Sequence, residues 1–311
     1  MRIFLTGASG FVGSFFLRNL LRSGDHQVAI ILRNPESAWR VQDVMIGATL
    51  IRGEFNKLRD IESQVRDFQP TAFVHLAWDG VSGKDRNASS QWRNIPATLE
   101  LVEMASRVGA KHWIGLGSQA EYGPCQNKIN ETTETKPTTL YGVSKLAACT
   151  LSERLCQELG IRHAWLRLFS SYGPTDHPDW LIPYLMKALL AGEKPSLTAA
   201  EQLWDYINVE DVSAAILAVL DTHEAVGIFN LGSGQTLKLR SLIEKIRDLI
   251  NPSLPLGFGD VPYRPDQVMH LEADISRLTR LAGWLPKVDI DSGIRATIDW
   301  YSAENNGNKH C

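Results

Sequence analysis

Six short apolar runs punctuate the first 170 residues: RIFLT from Arg2, QVAIIL from Gln27, ATLIR from Ala48, AFVHLA from Ala72, HWIGLG from His112 and HAWLRLF from His163. Stretches compatible with a helical period separate them, so the pattern alternates between strand and helix. The runs lack a strict in/out alternation, as expected of strands covered by helices on both faces. This rhythm predicts an α/β fold with a doubly wound parallel sheet. After SSYGP around Tyr172 the rhythm loosens, and Pro174, Pro178, Pro183 and Pro195 follow in close succession. We therefore expect a first domain over residues 1–170 and a smaller C-terminal lobe over 171–311. Segments within about 204–232, among them GIFNLG, should return to the sheet. The terminal ENNGNKHC reads as a frayed tail.

The first run leads directly into FLTGASGFVGSFFLRNLL, with Gly7, Gly10 and Gly13 between a strand and an apolar-periodic helix. In that context the first glycine permits a tight turn and the second a close approach of backbone to a pyrophosphate. The third lets helix and strand pack, and the helix N-terminus attracts negative charge. A dinucleotide is the predicted occupant; a ligand-free glycine turn is the plainer alternative. An NAD site usually presents Asp or Glu about twenty residues on. Here the second strand ends in Arg33. A guanidinium suits a 2′-phosphate, which favours NADP(H) over NAD(H). If Arg33 merely faces solvent or stacks on adenine, the choice stays open.

In PTTLYGVSKLAACTLSERLCQELG, Tyr141 and Lys145 stand four apart on a helix closed near Gly160, so both project from one face. A phenol is a poor base at neutral pH, and a nearby ammonium favours its ionised form. Ser118 ends the HWIGLG run, where loops of an open α/β sheet meet ligand, and could hold the same substrate oxygen. Alone, a Tyr-x-x-x-Lys spacing is weak, and a half-buried helix tyrosine is its plain reading. Together with the glycine loop and the serine, the chain resembles the extended short-chain dehydrogenase/reductases of the nucleotide-sugar epimerase/dehydratase branch. The likeness continues through HLAW, WRNIPATLELVEMA, RLFSSYGP, WLIPYLMKALLAGE, WDYINVEDVSAAI, FNLGSG and ADISRLTRLAGWLP.

The resemblance implies a Rossmann-type domain holding a nicotinamide cofactor and a lobe clasping a nucleoside-diphosphate sugar. Ser118, Tyr141 and Lys145 match the catalytic positions. Cofactor contacts are implied for Gly7, Gly10, Phe11, Val12, Gly13, Arg33, Glu54, Phe55, Leu76, Ala77, Trp78 and Asn94, with Tyr141 and Lys145. Substrate contacts are implied for Gln119, Ser170, Trp204 and Arg264, the last resembling a diphosphate-binding arginine. Trp204 stands where many relatives have Arg, and Ser170 where they have Asn; the indole either stacks on a base or packs in the core. Relatives that dehydrate a sugar carry Asp-Glu after the serine or threonine, whereas this chain has Gln119 and Ala120. Glu121, one residue later, should face away if the segment is extended. No Cys or His occurs in GSQAEYG for C5 epimerisation of the kind some relatives perform. Hydride transfer alone remains. The expected activity is reduction of the C4 carbonyl of a nucleotide-linked 4-keto-6-deoxyhexose. The alternatives are a C4 epimerase that retains NAD and, in another class, a non-catalytic NADP-binding regulator. Relatives also imply a homodimer.

Composition narrows the partners. A net charge of −3 gives no electrostatic reason to bind nucleic acid or an anionic membrane surface. The four cysteines lack metal-site spacing, which predicts reduced thiols and no metal, and no apolar run is long enough to cross a membrane. A cytoplasmic location is expected.

Overall fold

The computed structural model describes residues 1–264 and 267–307. Six of the sheet's strands coincide with the apolar runs: β1 (Arg2–Thr6), β2 (Gln27–Leu32), β3 (Thr49–Arg52), β4 (Ala72–His75), β5 (His112–Ser118) and β6 (Arg162–Leu168). The short β7 (Ser170–Tyr172), β8 (Ser196–Leu197), β9 (Leu203–Trp204) and β10 (Tyr206–Asn208) follow, and β11 (Gly227–Leu231) is the GIFNLG run. The main sheet has the order β11-β6-β5-β4-β1-β2-β3, and every pair in it is parallel. Its strand order reverses between β1 and β4, which opens a crevice beyond the C-terminal ends of those strands.

Helices cover both faces. On one lie α1 (Phe11–Ser23), α6 (Val209–Asp221) and α8 (Ser276–Ala282), where Phe16, Leu17 and Leu20 meet Ile216, Val219 and Leu220 in one core. On the other lie α2 (Glu62–Phe68), α3 (Asn94–Arg107) and α4 (Leu140–Glu158), packed on Phe4, Phe73, Trp113 and Trp165. Alternate residues of a single strand serve opposite cores: Ile3 and Leu5 face α1, Phe4 faces α2 and α3. Both kinds of position are apolar, which explains the unbroken hydrophobic runs.

A third core joins α5 (Leu181–Leu190), α7 (Leu239–Ile250) and α9 (Ile290–Gly307) through Leu185, Leu189, Ile243, Ile246 and Ile294. Three small sheets border it: β10 with β7, β9 between β12 (Leu237–Lys238) and β14 (His270–Leu271), and β13 (Gly257–Phe258) with β8. The chain is thus interleaved: α6 and β11 lie against the first two cores although the segments on either side of them in sequence supply the third.

Candidate active site

The turn between β1 and α1 sits at the reversal of strand order. Gly7 adopts φ +79°, and a side chain there would strike the backbone of Leu76 and Ala77, 2.6 Å from an added Cβ. A Cβ on Gly13 would lie 1.9 Å from the Gly7 carbonyl oxygen. Only bare backbone lets the loop fold this tightly against the end of β4. Gly10 caps α1, whose first turn carries no acidic residue. Its free N–H groups and dipole form a cradle whose chemistry suits a diphosphate. Phe11 and Val12 open the helix at the same place.

Two neighbouring strand ends provide the next groups. Arg33 follows β2 and is exposed, with no ion pair among the described residues. Glu54 lies just beyond β3, where Lys57 pairs with it at 3.2 Å. The strands are in register, and Gly53 N–H donates to the Leu32 carbonyl, so Arg33 and Glu54 emerge side by side. Phe55 stacks on His75 with ring centres 4.9 Å apart. His75 is enclosed between the Thr6 and Thr98 hydroxyls, and burial drives its pKa down to about 3, so it is neutral and structural at physiological pH.

Leu76, Ala77 and Trp78 continue from β4. Asn94 turns inward beneath them: its carbonyl oxygen accepts from Asp79 N–H at 2.9 Å, and its amide donates to the carbonyls of Asp79 and Gln91, each at 3.1 Å. It anchors the loop that bears Ala77 and Trp78.

Ser118, Tyr141 and Lys145 are all buried. Ser118 ends β5; its hydroxyl accepts from Ala120 N–H at 3.2 Å and lies near enough to the Tyr141 phenol to favour its ionised form. Thr139 caps α4 by accepting from Gly142 N–H, which fixes the first turn that carries Tyr141. Burial raises the phenol's pKa, while Arg86 and Ser118 act to lower it. Lys145 reaches the strand beside it: Nζ donates to the Leu116 carbonyl at 2.6 Å and lies 3.8 Å from the centre of the Trp78 ring. Burial brings its pKa down to about 7, against the opposing pull of Glu121. The cation over the Tyr141 ring is a different residue, Arg86, at 5.0 Å.

Residues 119–121 form a single 3₁₀ turn, not the extended segment expected from sequence. Ser118 caps that turn, and its N–H returns to Glu121 Oε1 at 2.8 Å, a reciprocal capping box. Glu121 is fully buried, accepts from Trp165 Nε1 at 2.9 Å and pairs with Arg167 at 2.7 Å. Its carboxylate is committed to a helical cap and a buried ion pair, close enough to Tyr141 and Lys145 to act on the charge of both. Gln119 is half-buried beside Ser118.

Ser170 and Trp204, the two departures from the family pattern, touch each other: Trp204 Nε1 donates to Ser170 Oγ at 2.6 Å. Arg264 is exposed at the edge of the described residues, and the adjoining Pro265 and Asp266 lie outside them. Sequence reasoning missed Arg86, which belongs to no motif in GKDRNAS, and the Glu121–Arg167 pair, whose partners are 46 positions apart. No group of three or more potential metal ligands occurs among the described residues.

Comparison with known proteins agrees with this arrangement. A model of the NAD dependent epimerase/dehydratase family matches residues 3–232. CDP-abequose synthase of Salmonella muenchen is 28% identical, over 96% of this chain and 97% of its own. A dTDP-glucose 4,6-dehydratase of Salmonella typhimurium is 26% identical, over 97% and 93%. Among solved structures, the Bordetella bronchiseptica enzyme WbmG in complex with NAD and UDP aligns with a TM-score of 0.83 at 25% identity, covering 98% of this chain and 96% of its own. The glycine cradle, the converging serine, tyrosine and lysine, and a family match over most of the chain lead to one conclusion: the protein belongs to the NAD dependent epimerase/dehydratase family.

Proposed function

We propose that this protein reduces the C4 carbonyl of a nucleotide-linked 4-keto-6-deoxyhexose, using NADPH. The observation that carries the reading is Glu121. With its carboxylate locked onto Arg167, Trp165 and the Ser118 backbone, and Gln119 and Ala120 preceding it, the turn after the serine offers no acid–base pair for eliminating water. What is left at the site serves one hydride and one proton. Likeness to CDP-abequose synthase supports the same reading.

A nicotinamide bound along the glycine cradle would supply hydride to the sugar carbon. The chain's own residues do the rest. Tyr141 gives its phenol proton to the carbonyl oxygen, and Ser118 holds that oxygen by a hydrogen bond. Lys145 sits one turn along the same helix face, placed to hold the nicotinamide ribose. Phe11, Val12, Phe55, Leu76, Ala77 and Trp78 are taken as further contacts of that cofactor. Residues 171–311 form most of the substrate lobe, with Gln119, Ser170, Trp204 and Arg264 toward the nucleotide sugar. Exposed Arg33, without a carboxylate partner among the described residues, supports the preference for the 2′-phosphate. The protein is taken to be a cytoplasmic homodimer. No helix among the described residues is long and apolar enough to cross a membrane.

A second reading, C4 epimerisation with retained NAD, draws support from the WbmG structure, which holds NAD and UDP. One assay separates the two. The protein is incubated with NADPH and nucleotide-linked 4-keto-6-deoxyglucose while absorbance of the reduced nicotinamide is followed, beside UDP-glucose and UDP-galactose in parallel. Stoichiometric loss of NADPH is the expected result; sugar interconversion without net cofactor loss would make the protein an epimerase. Cofactor binding with neither activity would favour the regulator.

A further inference from the structure

We propose that Arg86 is a positioning residue for Tyr141: its guanidinium, held between the Tyr141 and Trp180 rings, fixes the phenol and stabilises its ionised form. This rests on the reading of Tyr141 as the proton donor. The guanidinium carbon lies 5.0 Å from the centre of the Tyr141 ring and 5.5 Å from that of Trp180. Trp180 caps α5 of the lobe and Tyr141 opens α4 of the sheet domain, so Arg86 spans the space between them.

Its place is fixed by backbone as well as by rings. The Arg86 carbonyl accepts from Tyr141 N–H at 2.8 Å, and Asn87 Oδ1 accepts from Leu140 N–H at 3.1 Å. The loop thereby satisfies two of the four donors that a helix N-terminus leaves free. The backbone from which the Arg86 side chain springs is therefore held beside the start of α4.

The guanidinium makes no ion pair among the described residues, and its Nε is buried without a hydrogen-bond partner. A cation placed so pays off only if another charge appears beside it. The other charged groups around Tyr141 are otherwise engaged. Lys145 donates to Leu116 and faces Trp78, Glu121 is bound to Arg167, and Asp85 accepts from the Ser82 hydroxyl. Arg86 is thus the uncommitted cation at the phenol. Proton transfer from Tyr141 leaves a phenolate there, which a nearby positive charge stabilises.

The test reads the phenol directly. 3-Fluorotyrosine incorporated at position 141 gives one 19F resonance whose shift with pH reports ionisation, with no substrate needed; a failure of the reductase reading therefore leaves this result standing. Arg86→Met should move the midpoint up by about one pH unit, a tenfold loss of phenolate at a given pH. Arg86→Lys, which keeps the charge, should recover at least half of that shift. Circular dichroism checks the fold, and if Arg86→Met does not fold, Arg86→Gln takes its place in the same titration. A shift below about half a unit, or a lysine variant no better than methionine, would each overturn the proposal.

Discussion

Replacing Glu121 with glutamine separates a structural carboxylate from a catalytic one. The side chain is fully enclosed, and its two oxygens serve three donors: Oε1 takes Ser118 N–H and Trp165 Nε1, and Oε2 takes Arg167 Nε at 2.7 Å. Arg167 is itself 3% exposed, so removing the negative charge leaves a buried cation unpaired. Breaking one side of such a pair costs about 3–5 kcal/mol. For a chain of this length that corresponds to a fall of roughly 5–8 °C in the unfolding midpoint. Calorimetry of the parent, Glu121→Gln, and Glu121→Gln combined with Arg167→Met supplies the measurement. The double variant should recover a good part of the loss, since it removes the orphaned charge as well. A Glu121→Gln protein that melts within about a degree of the parent would refute the ion-pair argument. Lost turnover with unchanged stability would point instead to Glu121 as an acid or base at substrate.

Three further outcomes follow from the site. Tyr141→Phe should keep cofactor affinity while turnover falls by about two to four powers of ten, measured as NADPH consumption. Arg33→Ala should weaken NADPH binding about tenfold or more with little effect on NADH, measured by titrating each cofactor, and equal effects would remove Arg33 from 2′-phosphate recognition. The folded-state pKa of Lys145, about 7, lies below that of a free lysine, so between those values the unfolded chain binds the extra proton. Its burial cost is therefore complete below pH 7 and relieved as pH rises toward about 10, and urea midpoints should climb over that window in the parent and climb less in Lys145→Met.

Much of the architecture was legible because it rests on local rules. Every apolar run of the first domain became a strand of one parallel sheet, and the glycine spacing placed a tight turn where the strand order reverses. Tyr141 and Lys145 share a helix face because 3.6 residues make a turn. The sequence could not show what each then does with its polar atoms. Lys145 is drawn to a carbonyl of β5 and to the Trp78 face, which depend on how α4 packs on the sheet. Glu121 looked like a residue in an extended segment because nothing nearby in sequence announces Arg167 or Trp165 as its partners. Asn94 matched a family position, but its inward hydrogen bonds depend on the fold of the loop after β4. Arg86 was silent for the same reason: its neighbours Tyr141 and Trp180 are 55 and 94 positions away.

The place of β11 sets an order of events during synthesis. Strand β6 is complete once residue 168 has left the ribosome, yet the edge it offers is paired only by Gly227–Leu231. The apolar side of α1, complete at Ser23, waits far longer, until α6 begins at Val209. For some sixty residues of further elongation the nascent sheet therefore carries a raw, hydrophobic margin, the kind of surface that recruits a second chain or a chaperone. The glycine turn between β1 and α1 belongs to a sheet that cannot close until Leu231 has been made, some two hundred residues after that turn.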